Sequence, residues 1–75
     1  FIVNEYTDYS FLFQKMLKKK FIYKIEHKEF MEWLRKHQFI SERVFDIMYS
    51  KGGFKSLSKS YSVARENNFI NTFGL

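Results

Sequence analysis

The chain has 75 residues, 13 Lys and Arg against 8 Asp and Glu for a net charge of +5, and neither Cys nor Pro. A chain of this length buries only about 60% of its unfolded surface and makes one domain, which excludes a two-domain enzyme with a deep cleft. Without Cys, a disulfide framework and a thiolate zinc site are excluded, which fits a reducing intracellular setting. The longest apolar run is three residues, so no stretch reads as a transmembrane helix or signal-peptide core. Phe1 in place of Met reads as the start of a piece cut from a longer protein, with residues 1–75 as a single helical domain.

Ten Phe, five Tyr and Trp33 make the chain 21% aromatic. Each buried ring removes roughly 150–250 Å² from water, so aromatics are expected to supply the core that disulfides do not. Phe1, Ile2 and Val3 are expected either to pair as a short strand or to pack as an arm. From Asp8 the period turns helical: Tyr9, Leu12, Phe13, Met16 and Leu17 line one face. Thr7 or Asp8 suits the N-cap, and Lys18, Lys19 and Lys20 sit where the helix dipole favours cations.

A second helix is expected from about Lys24 to His37, after a bend at Phe21–Tyr23. Phe30, Trp33, Leu34 and His37 share its stripe, with Glu32 and Lys36 at the i, i+4 spacing of a surface ion pair. Ser41 offers the next N-cap, with Val44, Phe45 and Met48 facing inward and Gly52-Gly53 as the stop. Phe54, Leu57 and Tyr61 have the spacing of a short or 3₁₀ helix, and a last helix runs from near Ser62 to Gly74. The expected fold is therefore all-α, a small bundle of four or five short helices around one aromatic core. Phe13, Leu17, Phe30, Leu34, Phe45, Met48, Leu57 and Phe69 are its expected buried residues.

Enzymatic patterns are scarce. His27 and His37 stand ten residues apart without a ligand pattern, and they read as a solvated and a half-buried side chain respectively rather than as a metal site. The serines between Ser41 and Ser62 have no nucleophile elbow. Gly52-Gly53 lacks the Gly-Lys-Ser/Thr ending of a phosphate loop. No catalytic residue, cofactor or metal is expected.

The charge pattern says more. Residues 15–24 hold five lysines, Lys15, Lys18, Lys19, Lys20 and Lys24, and no acid. Lys51, Lys55 and Lys59 add a second stripe at i, i+4 spacing. Such patches attract polyanions, whether nucleic-acid backbone, an acidic or phosphorylated peptide, or an anionic membrane surface; the bland alternative is a helix face kept soluble.

Two family patterns occur. Phe30-Met31-Glu32-Trp33-Leu34 places a Phe two residues ahead of an apolar–Leu pair, Gly53-Phe54-Lys55-Ser56-Leu57 resembles a 3₁₀ turn segment, and Arg65 precedes Phe69 by four. Phe45 falls where a buried aromatic of the second helix stands. With these residues the stretch from Phe30 to Phe73 resembles the FF domain, in a unit of about 24–73, although Gly53 replaces the usual Arg and Phe45 the usual Trp. That resemblance implies a non-catalytic module of a nuclear splicing or transcription factor that docks acidic or phosphorylated peptides through basic surfaces. The residues proposed to carry such a role are Lys15, Lys18, Lys19, Lys20, Lys24, Lys55 and Lys59. Leu57 to Arg65 is similar to the turn and recognition-helix start of a helix-turn-helix, which implies DNA or RNA contacts by Lys59, Arg65, Asn67, Asn68 and Asn71.

Overall fold

The computed structural model describes residues 1–51 and 60–74, and the expected stop at Gly52-Gly53, the 54–61 helix, Leu57, Lys55 and Lys59 fall wholly or mainly outside them. Four helices stand in the described part: α1 (Tyr6–Lys18), α2 (His27–Lys36), α3 (Glu42–Ser50) and α4 (Val63–Phe73). The all-α expectation holds, with α1 against α4 and α2 against α3.

Helix α1 is the central element. Tyr9 to Phe13 are buried without a gap, because α4 covers it on one side through Phe11 and Phe69 while α2 covers it on another through Tyr9, Phe13 and Phe30. The α1 part of the core differs from the expected face, with one residue added and one expectation overturned. Phe11 joins the core because its ring meets Phe69 edge-on at 6.5 Å. Leu17 leaves it at 40% exposure: it shares a side with Phe13 but lies one turn beyond the cover that His27 and Phe30 provide. Val3, Met16, Phe30, Met31, Leu34, Ile40, Val44, Phe45, Met48 and Phe69 complete the core.

The start of α1 also differs from expectation. Glu5, not Thr7 or Asp8, is the N-cap. Asp8 sits in the first turn, where its Oδ2 accepts the backbone N–H groups of Asn4 and Glu5 at 3.1 and 3.2 Å. Ser41 caps α3 as expected, and Ser62, near which the last helix was expected to start, caps α4; they accept from Val44 N at 3.2 Å and Arg65 N at 3.1 Å. Residues 1–5 form an arm rather than a strand: Val3 N donates to the Phe39 carbonyl at 2.8 Å, in a single parallel bridge with Ile40.

Helices α1 and α2 end in the same device without glycine. Lys20 N donates to the Leu17 carbonyl and Phe21 N to that of Met16, at 3.1 and 2.9 Å, with Lys20 left-handed at φ 61°. After α2, Gln38 N and Phe39 N donate to Arg35 and Leu34 at 3.2 and 2.9 Å, with Gln38 at φ 62°. Both are Schellman turns, which satisfy the last carbonyls and fold the next apolar residue back onto the helix. Lys24 is left-handed as well, at φ 49°, so α2 begins at His27 and not at Lys24.

Candidate partner-binding site

The site lies at the C-terminal end of α1, and its make-up follows from how the molecule distributes its charges. On the α4 side, cations are matched internally. Arg65 Nε donates to Asp8 Oδ1 at 2.9 Å, its Nη2 to Thr7 Oγ1 at 2.7 Å, and its Nη1 to the Ser60 carbonyl at 3.0 Å. Lys15 Nζ donates to Glu66 Oε1 at 2.7 Å and lies 5.7 Å from the Phe69 ring centre. On α2, Glu32 pairs with Arg35 at 2.7 Å rather than with Lys36, and the Arg35 guanidinium also covers the Phe45 ring at 4.6 Å. That cation–π contact draws Arg35 toward α3, and Lys36 is exposed with no carboxylate in ion-pair distance among the described residues.

Past Lys15 the pattern reverses. Lys18, Lys19, Lys20 and Lys24 are exposed, and none has a carboxylate within ion-pair distance among the described residues. Lys24 instead leans over the Tyr23 ring at 5.5 Å. The two left-handed lysines bracket Phe21, Ile22 and Tyr23, a segment that bridges from α1 to α2. Phe21 is half-exposed and stacks on Phe69 at 6.4 Å; Tyr23 is 81% exposed.

Beneath this segment opens an apolar cavity of about 250 Å³, lined by Met16, Phe21, Ile22, Ile25, Trp33 and Phe73. Trp33 stacks on Phe30 at 5.8 Å, and Phe73 lies 4.7 Å from Phe69, so the far wall is braced by core rings. On the other shoulder, Lys18 lines a cleft of mixed polar and apolar character with Phe11, Gln14, Lys15, Ser60, Tyr61 and Glu66.

The residues named for nucleic-acid contact are arranged differently. Arg65 is the sole cation of α4 and is held by Asp8, Thr7 and Ser60, whereas Asn67, Asn68 and Asn71 are exposed. Of the seven lysines proposed for a partner, Lys18, Lys19, Lys20 and Lys24 gather at one end of α1. Lys15 is engaged with Glu66, and Lys55 and Lys59 fall outside the described residues.

The histidines exchange their expected roles. His27 is half-buried, its Nδ1 sharing a 2.7 Å hydrogen bond with the Tyr9 hydroxyl and its ring 4.3 Å from that of Phe13. Burial pushes the Tyr9 phenol well above its ordinary value of 10.0. His37 is exposed and packs on Trp33 at 4.8 Å. Sequence reasoning missed the Tyr9–His27 pair and the cavity. Both join residues on separate helices, and the only local signal was a set of apolar residues interleaved with the lysines.

Among the described residues, no helix is long and apolar enough to cross a membrane, and no three His, Asp or Glu side chains gather where they could hold a metal ion. Comparison with protein-family models, curated proteins and solved structures finds no match, so the surface chemistry carries the functional reading.

Proposed function

We propose that the chain is a non-catalytic interaction module that binds an acidic or phosphorylated segment of a partner protein at the C-terminal end of α1. The observation that carries this reading is the contrast in pairing. Lys15 and Arg65 are neutralised by carboxylates of their own molecule, while Lys18, Lys19, Lys20 and Lys24 are left without one among the described residues and border exposed rings. A helix C-terminus adds a partial negative charge that four clustered ammonium groups far exceed, so the local field attracts anions. The flexible, strongly hydrated lysine heads suit a partner presenting point charges along a chain.

Titration of the chain with an acidic peptide, its phosphoserine counterpart and a DNA duplex at one ionic strength tests the reading. Saturable binding of the peptides, weakened by salt and lost in the variant K19E/K20E, is the expected result. Binding of the duplex alone would replace this reading with the nucleic-acid one. An absence of binding by all three at low salt would leave the lysines as solubilising groups and end it.

A further inference from the structure

We infer that the cavity beneath Phe21–Ile25 receives one bulky apolar side chain of the bound segment, so that the partner is an acidic segment built around an aromatic or aliphatic anchor. This rests on the reading above and specifies its ligand. Three observations carry it.

First, the lining is apolar throughout: Met16, Phe21, Ile22, Ile25, Trp33 and Phe73 offer no charged side chain to the interior. A phosphate or carboxylate lodged there would lose its hydration without a partner, so the charges of the ligand must stay on the rim. Second, the volume of about 250 Å³ falls below the roughly 300–1,000 Å³ that holds a drug-sized ligand. It is the scale of a single large side chain. Third, the rim is cationic: Lys20 and Lys24 flank the Phe21–Tyr23 lip, both in left-handed backbone conformations, with Lys19 immediately before. Left-handed non-glycine residues cost free energy and persist where the surroundings impose them. Here they turn the lip so that Phe21 and Ile22 line the cavity while the lysines stay in solvent. An apolar floor inside a basic rim complements an apolar anchor flanked by acids. Interfaces commonly concentrate their binding energy in such a pocketed anchor.

Trp33 is the sole tryptophan of the chain and lines the cavity, which makes the inference directly readable. The probes are two tryptophan-free acidic peptides of equal charge, one with a central Phe and one with Ser in its place. The Phe peptide is expected to change Trp33 emission and to bind at least about tenfold more tightly than the Ser peptide. The F21S variant is expected to lose the same factor for the Phe peptide and little for the Ser peptide. The peptide swap needs no altered protein, so the test stands even if F21S unfolds. Equal affinity of the two peptides with silent Trp33 emission would overturn the anchor while leaving acidic-segment binding intact. Failure of both peptides, with binding to vesicles of anionic phospholipid, would overturn both readings in favour of a membrane surface.

Discussion

At the N-terminal end of α1, one carboxylate is used twice: Asp8 Oδ2 caps the helix start and Oδ1 accepts from Arg65 of α4. Midway along, Lys15 reaches Glu66. At the C-terminal end, Lys18, Lys19, Lys20 and Lys24 meet no carboxylate among the described residues, and the apolar surface beside them is open. One helix thus shows charge serving cohesion at one end and left available at the other. The difference teaches that cation number alone is a poor guide to a binding face, since Lys15 and Arg65 count toward the net charge but belong to the scaffold.

Substitutions can break this contrast at several depths. The deepest is F69A. Phe69 is fully buried and touches Phe11, Phe21 and Phe73 from both sides of the division, so its loss should cost about 3–5 kcal/mol in chemical denaturation and disable both ends together. Next is R65A, which leaves Asp8 partly buried without its guanidinium and removes three hydrogen bonds. A loss of about 2–3 kcal/mol is expected in the same assay, against a change within about 0.5 kcal/mol for K19A. Equal effects of the two would erase the distinction drawn here.

Y9F probes the scaffold through pH. The unfolded phenol releases its proton near 10.0, while burial holds the folded one protonated to higher pH. The native state therefore keeps a proton that the unfolded state loses, and stability is full below pH 10 and falls above it. Y9F should be less stable than the parent at neutral pH by about 1–2 kcal/mol, because His27 Nδ1 loses its partner. The gap should narrow by about 1.4 kcal/mol per pH unit above pH 10, as followed by urea denaturation. Parallel curves would contradict the burial of an ionisable phenol. A small gain is expected of K20G, which removes a side chain from a left-handed position. A gain of about 0.5–1 kcal/mol should remain after the entropy lost to glycine, and it would place the strain at the lip of the cavity.

Which features were legible in the sequence follows from their range. Ser41 and Ser62 announce α3 and α4 because an N-cap acts on a backbone amide three residues away. The lysine run is legible because it is contiguous. The ends of α1 and α2 were legible as well, from the cations at Lys18–Lys20 and the expected close at His37, but the turns that make them were not, since Lys20 and Gln38 occupy left-handed positions where glycine would have signalled them. Thr7 or Asp8 suits the N-cap on local grounds, and Asp8 does accept amides of the helix start from the first turn, but the bonds of both to Arg65, 58 and 57 residues away, have no local sign. The cavity draws on α1, the 21–25 segment, α2 and α4, and no local pattern describes such a meeting.

The most direct test pairs two readings on one protein, the charge-reversed variant K19E/K20E: its thermal midpoint and its affinity for the acidic Phe-bearing peptide. The account predicts a midpoint close to that of the parent and binding reduced by a factor of ten or more (about 1.4 kcal/mol). A lowered midpoint with binding retained would show that these lysines belong to the scaffold, and would contradict it.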